Sequence, residues 1–211
     1  MVVINYSELF NKYRILVDTS SFLCTGAEEF FIHKAERELK NSNKKFIIQY
    51  KVAEEINLLT DSEDEKARER AKKAVKLVNY MYFQGGTLEH YGTEEDSYTD
   101  TQFLKIFTQF GKNADLALIT QDRSLAKSIL GIKNQNDITS TKDIAAFRVS
   151  DDGNLVNWEE LIKEKKVRTV STRCFNCHKW FKENKWFIDK LYDNGKKVYC
   201  TECKKLFIPV R

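Results

Sequence analysis

Short apolar runs alternate along the chain with longer segments in which apolar side chains recur at helical spacing. Short runs are typical of buried strands, and recurrence every three or four residues is typical of a helix that covers a sheet. The predicted strands are 14–17, 45–48, 116–120, 145–149 and 155–156, and the predicted helices are 28–40, 50–59, 62–83, 99–110 and 124–130. Because strands alternate with helices, we expect a parallel α/β sheet with right-handed crossovers.

Two dipeptides predict tight turns. Asp152-Gly153 lies between two of the predicted strands and favours a hairpin. Asn194-Gly195, between Tyr192 and Tyr199, favours a second hairpin. The segment 158–166 is expected to be helical and to connect a first domain to the C-terminal part of the chain.

The composition indicates a folded chain with a substantial core. Its 211 residues, 42% of them hydrophobic, suit one full-sized domain with a small addition. No window approaches the roughly 18 to 20 apolar residues of a membrane helix, and residues 1–10 lack the layout of a signal peptide. We therefore expect a cytoplasmic protein with no membrane partner, and a disordered or collagen-like chain is excluded.

The positive charge is concentrated at the C-terminal end. Residues 163–211 carry fourteen Lys and Arg against five acids, whereas the whole chain has a net charge of only +4. A basic segment attached to a mildly acidic body favours an anionic partner for that segment. A Lys-rich surface that is merely solvated is the alternative.

Four of the five cysteines lie in this basic segment, as two C-x2-C pairs: Cys174, Cys177, Cys200 and Cys203. Two such pairs at this separation are typical of a tetrahedral structural Zn²⁺ site, because metal binding can hold together a segment too small for its own core. Cys24 stands alone in the first domain and is interpreted as a small, buried apolar side chain.

Two aspartates follow predicted parallel strands. Asp18 comes directly after strand 14–17, and Asp122 comes two residues after Thr120, which ends strand 116–120. Open parallel sheets leave a ligand crevice at the carboxyl ends of their strands, so we expect both carboxylates there. Both could equally be N-caps of the helices that follow.

Two further acids are placed by their angle on a helix, at about 100° per residue. In helix 50–59, Glu55 lies at the border of the apolar stripe, whereas Glu54 faces away. Asp100 lies on the packed face in the first turn of helix 99–110. The alternative is that Glu55 and Asp100 are half-exposed acids at helix edges.

If the four carboxylates meet, they repel one another unless a divalent cation screens them. Hard oxygen ligands without histidine suit Mg²⁺ or Mn²⁺. A site of this kind can orient water for in-line attack on a phosphodiester.

The segments that carry these acids resemble the four acidic motifs of PIN-domain nucleases, in order and over roughly residues 12–148. The segments are ILVDTSSFL, KVAEEINLL, DTQFLKIF and LITQDRSLA. The resemblance implies a three-layer α/β/α domain whose Asp18, Glu55, Asp100 and Asp122 hold Mg²⁺ or Mn²⁺. It also implies supporting hydroxyls at Ser20 and Thr120, and hydrolysis of RNA to a 5′-phosphate and a 3′-hydroxyl.

In the basic segment, lysines are interleaved with aromatic side chains, a pattern that favours single-stranded RNA through phosphate contacts and base stacking. Most of these aromatics are expected to be buried in the small core of a ribbon. The lysines expected to contact phosphate are Lys179, Lys182, Lys185, Lys196 and Lys197.

The hypothesis at this stage is a Mg²⁺- or Mn²⁺-dependent endoribonuclease. In this hypothesis, the chain divides into a PIN-like domain (1–150), a hairpin and helical linker (151–172) and a zinc ribbon (173–211). The ribbon binds RNA or a protein partner. One alternative is a non-catalytic adaptor that binds RNA or protein. Another is a structure-specific nuclease that acts on DNA, because nothing in the sequence selects a 2′-hydroxyl.

Overall fold

The computed structural model describes residues 4–96, 98–136, 142–163 and 169–205. The chain divides into two compact units, Met1–Leu161 and Ile162–Arg211. The strands of the first unit are β1 (Arg14–Val17), β2 (Phe46–Gln49), β3 (Leu88–Tyr91), β4 (Leu116–Ile119), β5 (Ile144–Val149) and β6 (Leu155–Asn157).

Helices precede, connect and follow these strands. They are α1 (Tyr6–Lys12), α2 (Thr19–Phe22), α3 (Glu36–Asn41), α4 (Tyr50–Leu58), α5 (Glu65–Asn79), α6 (Thr99–Phe110), α7 (Arg123–Asn136) and α8 (Trp158–Lys163). Residues Glu29–Ala35 and Tyr80–Gln84 are π-helical, and Leu59–Asp61 forms a 3₁₀ turn. None of the helices in the described ranges is both long enough and apolar enough to cross a membrane.

The six strands form one sheet in the order β3-β2-β1-β4-β5-β6. The neighbours from β3 to β5 pair in parallel, and β6 pairs antiparallel with β5. In the centre, Val17 of β1 is level with Ile48 of β2 and Ile119 of β4. The predicted α/β class with a mostly parallel sheet is confirmed.

The strand order reverses direction between β1 and β4. From β1 the chain builds β2 and β3 on one side, and it then returns to add β4 and β5 on the other. Right-handed crossovers place the connecting helices of the two halves on opposite faces of the sheet. The crevice of such a sheet opens at the carboxyl ends of the two strands that flank the reversal.

The core of this unit is rich in aromatic rings. Phe10, Phe30, Phe31 and Phe46 are fully buried, and their ring centroids approach to between 4.8 and 6.0 Å. Strands β2 and β4 are buried along their whole length. Burial of this kind is the main stabilising contribution to the sheet and holds its strand ends in place.

Several element boundaries differ from those predicted. Strand β3 lies in a stretch that the sequence pattern did not predict as a strand, and α5 begins at Glu65 with Asp64 as its cap. The Asp152-Gly153 hairpin is confirmed, because it joins β5 to antiparallel β6. The first unit runs to Leu161 and so includes this hairpin, which the sequence analysis assigned to a linker.

Between residues 169 and 205, the second unit contains a small antiparallel ribbon and two helices. Strand β7 (Thr169–Arg173) pairs with β8 (Trp180–Asn184), and α9 (Lys185–Asp193) and α10 (Thr201–Lys205) follow. The predicted hairpin at Asn194-Gly195 is wrong. Gly195 instead ends α9 with φ 63°, and its backbone N–H donates to the carbonyl of Tyr192 at 2.9 Å.

Candidate functional site

Asp18 follows β1 at the reversal of strand order. It is 6% exposed, and its backbone N–H donates to the carbonyl of Ile119 at 2.9 Å, which ties it to the end of β4. Its Oδ2 accepts hydrogen bonds from the hydroxyls of Ser20 and Thr120. Although Asp18 is at the N-cap position of α2, its side chain makes no cap hydrogen bond. The cap interpretation therefore does not hold for Asp18.

Asp122 follows β4 at the same edge of the sheet, and here the cap interpretation is right. Its Oδ1 accepts from the backbone N–H groups of Ser124 at 2.5 Å and Leu125 at 3.1 Å, at the start of α7. Its backbone N–H donates to Thr120 Oγ1 at 2.9 Å. The side chain is exposed, and a cap that uses one oxygen leaves the other available to a ligand.

The hydroxyl of Thr120 joins these two acids. It is fully buried, donates to Asp18 Oδ2 at 2.8 Å and accepts from the backbone N–H of Asp122. The Ser20 hydroxyl accepts from the backbone N–H of Gln121 at 2.9 Å, which adds a second link between the strand ends. Trp158, which sequence reasoning did not connect with the site, donates from Nε1 to the Thr120 carbonyl at 2.9 Å.

Glu55 reaches this edge from α4. Its Oε2 accepts from Thr19 Oγ1 at 2.6 Å and from Thr99 Oγ1 at 3.5 Å, and these threonines are the chain neighbours of Asp18 and Asp100. Glu55 is exposed, so the prediction that it lies at the border of the buried stripe is wrong, although its carboxylate does point toward the other acids.

Glu54 behaves differently from Glu55, although the two are adjacent in the chain. It pairs with Lys51 Nζ at 2.8 Å, three residues earlier on the same helix. The two glutamates thus have different surroundings, and of the two it is Glu55 whose carboxylate contacts α2 and α6.

Asp100 lies in the first turn of α6 and is exposed, so its predicted position on the packed face is wrong. Its pKa is nevertheless raised, first by partial desolvation and then by the negative charges of Asp18 and Asp122. Like charges raise the pKa of a carboxyl only when they lie near it. Asp18, Asp100 and Asp122 therefore share one electrostatic environment.

These four acids, Asp18, Glu55, Asp100 and Asp122, are called the acidic site below. Its donor set consists of carboxylate oxygens supported by hydroxyls, a chemistry that fits Mg²⁺ or Mn²⁺. The carboxylates are not gathered within one coordination shell. Glu55 is turned to two threonines and Asp122 to the start of α7, as expected of like charges that avoid one another.

The cysteines of the second unit do form a compact cluster. Cys174, Cys177, Cys200 and Cys203 have sulfur atoms within 4.8 Å of one another, and in the described ranges this is the one such group of three or more metal-ligating side chains. Sulfurs around a tetrahedral zinc are about 3.8 Å apart for a Zn–S distance of about 2.3 Å. Cys177 and Cys200 are 3.7 Å apart, so the cluster fits a small zinc ribbon.

The fold brings these cysteines together from two short segments. Cys174 and Cys177 occupy the turn between β7 and β8, and Cys200 and Cys203 lie at the start of α10. The backbone N–H of Cys200 donates to Cys174 Sγ at 3.4 Å, and Asn176 Nδ2 donates to Cys203 Sγ at 3.5 Å. Such N–H···S contacts are the usual support of thiolate ligands.

The thiols of the cluster have unequal acidity. Burial opposes ionisation of Cys174, but N–H groups of Cys177, Cys200 and Asn176 outweigh it and hold the pKa of the Cys174 thiol below its usual value. For Cys203, the hydrogen bond from Asn176 favours the thiolate. Burial and the other three sulfurs oppose it, and they raise the pKa of the Cys203 thiol.

The lysines predicted to contact RNA can be located in this unit. Lys179, Lys182, Lys196 and Lys197 are exposed, and the side chain of Lys185 lies outside the described part. Lys197 Nζ lies 3.8 Å from the centre of the Phe175 ring. A cation in this position makes a cation–π contact, so Lys197 also has a structural contact within the ribbon.

The aromatic side chains of the ribbon are less buried than predicted. Phe175, Trp180 and Tyr192 are 51%, 70% and 60% exposed. Phe181 and Tyr199 are partly buried and pack on the cysteine cluster. The side chains of Trp186 and Phe207 lie outside the described part. Exposed rings beside exposed lysines leave flat apolar faces available for stacking.

No protein-family model and no curated protein matches the chain. The similarity to PIN-domain nucleases is a hypothesis that rests on four short motifs of the sequence.

Proposed function

We propose that the protein is a metal-dependent endoribonuclease of the PIN type, with the acidic site as its active site. The observation that carries the proposal is a set of contacts: Thr120 joins Asp18 to Asp122, and Glu55 contacts the threonines next to Asp18 and Asp100. These acids come from separate segments and lie near the reversal of strand order, where ligands of open α/β sheets bind. The raised pKa of Asp100, caused first by desolvation and then by the charges of Asp18 and Asp122, supports the same arrangement.

The chain offers suitable oxygen atoms for a divalent cation. In the described residues, Asp100 accepts no hydrogen bond, Asp18 uses only Oδ2 and Asp122 uses only Oδ1. Asp18, Asp100 and Asp122 would hold Mg²⁺ or Mn²⁺ directly or through water, and Glu55 would complete the set. A bound cation would screen the shared negative charge and lower the pKa of a bound water.

The remaining steps belong to residues of the chain. Glu55, with its carboxylate turned toward α2, would orient the attacking water. Ser20 and Thr120 would hold the Asp18 carboxylate so that one oxygen faces the substrate. Attack of water on the phosphorus would break the bond to the 3′-oxygen, leaving a 5′-phosphate and a 3′-hydroxyl.

The second unit would contribute binding. Its exposed lysines would contact phosphates and its exposed aromatic rings would stack on bases, which suits single-stranded RNA. A protein partner of the ribbon is compatible with the same surface, since exposed aromatic and basic residues also favour protein interfaces.

The test is cleavage of a random RNA pool with Mn²⁺ present, in the wild type and in single variants. Asp18→Asn and Asp122→Asn should each lower the rate by about 100-fold or more, because a charge that stabilises the reacting groups is removed. Glu55→Gln should lower the rate, whereas Glu54→Gln, on the same helix with a partner at Lys51, should not. Circular dichroism checks that all variants fold.

Other outcomes contradict the proposal in distinct ways. A wild type that binds RNA but never cleaves it would be an RNA-binding adaptor with a nuclease-like scaffold. Equal cleavage rates for Glu55→Gln and Glu54→Gln would show that Glu55 has no role in cleavage. A single-stranded and a branched DNA substrate run in parallel separate an RNA-directed enzyme from a DNA-directed one.

A further inference from the structure

A cavity lies in the first unit, and none of its lining residues belongs to the acidic site. Its volume is about 470 Å³, within the range of small-ligand pockets. Residues of α2 and of the following turn line one side, among them Phe22 and Leu23, and Leu77 of α5 lines the other. The apolar part of the lining suits a flat, weakly polar group.

Cations line the α5 side of this cavity. Arg70, Lys73 and Lys76 are exposed, and none of them makes an ion pair or a hydrogen bond within the described part of the chain. Lys72 on the same helix is different, because it is not in the lining and pairs with Glu69 at 3.0 Å. Glu28 is the one acid in the lining, so the cavity has an excess of positive charge.

The cavity is close to the acidic site along the chain. Phe22 is the last residue of α2, and Asp18 is the N-cap of that helix. Four helical residues rise about 6 Å, so the backbone of Phe22, which lines the cavity, lies about one helical turn from the backbone of Asp18. A ligand that occupies the acidic site could therefore extend into the cavity.

We propose that this cavity binds a nucleotide of the single-stranded RNA next to the cleaved phosphate. The base would lie against the partly exposed apolar lining at Leu23 and Ile32, and neighbouring phosphates would lie on Arg70, Lys73 and Lys76. Each nucleotide of RNA supplies a flat base for the apolar lining and a phosphate for the cationic rim. An acidic peptide supplies negative charges but no flat ring beside each charge. This inference rests on the proposed function, since it identifies the substrate's path.

The cavity contains a natural reporter of its occupancy. Cys24 is half-buried in the lining and donates from Sγ to the carbonyl of Ser21 at 3.2 Å. Burial raises the pKa of the Cys24 thiol, so its alkylation is slow but measurable at mildly alkaline pH. Peptide mapping by mass spectrometry separates Cys24 from the four clustered cysteines.

The experiment measures the rate of Cys24 alkylation by N-ethylmaleimide in the full chain, with and without a saturating single-stranded RNA oligonucleotide. No Mg²⁺ or Mn²⁺ is added, so the RNA stays intact. We expect bound RNA to slow the alkylation by about fivefold or more, since a ligand in a pocket buries most of the surface it contacts. Saturation is verified separately by fluorescence anisotropy.

Two double variants of α5 test the role of the rim. Lys73→Gln with Lys76→Gln should weaken RNA binding by about tenfold and reduce the salt dependence by about 1.4 in log–log slope, because two phosphate contacts are lost. Lys66→Gln with Lys72→Gln removes the same charge from lysines of α5 outside the cavity and should preserve both binding and the protection of Cys24.

Three results would overturn the inference. They are equal alkylation of Cys24 with and without saturating RNA, equal effects of the two double variants, and equal protection by polyglutamate. Failure of the proposed function is recognised separately, by the lack of cleavage that depends on Asp18. If RNA protects Cys24 but is never cleaved, the cavity is an RNA-binding site and the proposed nuclease activity is wrong.

Discussion

The acids of the first unit depend on neighbouring hydroxyl groups for their orientation. Thr120 and Ser20 donate to Asp18, and Thr19 and Thr99 donate to Glu55. Leaving the buried carboxylate of Asp18 without its partners costs about 1–3 kcal/mol, so Thr120 and Ser20 are important for the local geometry, whereas the cost is smaller for the exposed Glu55. The orientation of the acids is thus a property of the network and not of the acids alone.

Asp100 leads to a pH-dependent prediction. Its raised pKa means that the native state holds this proton more tightly than the unfolded chain does. Stability therefore falls as the pH rises from the ordinary aspartate pKa through the raised one, and the ionised group remains unfavourable above that range. Asp100→Asn should increase the free energy of unfolding near neutral pH, by less than about 1 kcal/mol because solvent screens the charges.

Urea unfolding without added divalent cations measures this change. The difference between Asp100→Asn and the wild type should vanish well below the ordinary aspartate pKa, where both side chains are neutral. Asp61→Asn, on the exposed turn Leu59–Asp61, is the control. A lower free energy of unfolding for Asp100→Asn near neutral pH would contradict the prediction, because it would mean that the ionised carboxylate stabilises the native state.

The sequence predicts the acids of the site better than the residues that hold them. The four acids were identified from strand ends, helical angles and the resemblance, and the fold brings them to one edge of the sheet. The threonines that hold Glu55 were not identified, because their partner is 36 and 44 residues away in the chain. Helical angle also overestimated the burial of Asp100, which lies in the first turn of α6, and of Glu55, which points from within α4 toward threonines of α2 and α6.

At the scale of elements, Gly26 explains how the hairpin of β5 and β6 packs on the first unit. A Cβ at Gly26 would lie 2.0 Å from the carbonyl oxygen of Ser150 and 2.8 Å from the backbone N of Gly153. Neither neighbour is the end of a flexible side chain, so the backbone would have to shift. Gly26→Ala should destabilise the protein by several kcal/mol.

Gly131 supplies a matched control. It lies inside α7, where an added Cβ meets nothing within 4 Å. Gly131→Ala should stabilise the helix by about 0.5–1 kcal/mol, because alanine loses less backbone entropy on folding. Thermal unfolding of both variants checks the pair, and a harmless Gly26→Ala would mean that the hairpin can move away from this turn.

Predicted elements were most accurate where burial is complete. Strands β1, β2 and β4 are short apolar runs and were located within a residue or two. Strand β3 was missed because it is an edge strand with one fully buried residue, Leu88, and so shows no apolar run. The Asn194-Gly195 error has a different cause, since a glycine with positive φ ends helices as readily as it closes hairpins.

At the scale of the whole molecule, the two units should depend on metal differently. The first unit has a large apolar core, whereas the second is built around four cysteines with few buried apolar side chains. Removing zinc with a chelator should therefore unfold the second unit and leave the sheet folded. Calorimetry of the full chain should show loss of one transition and retention of the other.

Variants of single cysteines separate this effect from general damage by the chelator. Cys174→Ser should reproduce the loss and lower the zinc content measured by elemental analysis, whereas Cys24→Ser should change neither. Retention of a folded second unit in zinc-free protein would show that its apolar contacts are sufficient.

The bond between Trp158 and the carbonyl of Thr120 has a consequence for how this chain can be shortened. A protein that stopped at residue 150 would lose both the indole and strand β6, and the end of β4 would open to water on that side. We therefore expect that a fragment keeps the fold of the first unit only if it ends after Trp158, inside or beyond α8. The same limit applies to the fusion point of a gene fusion. A truncated protein must keep Trp158 if the end of β4 is to stay covered.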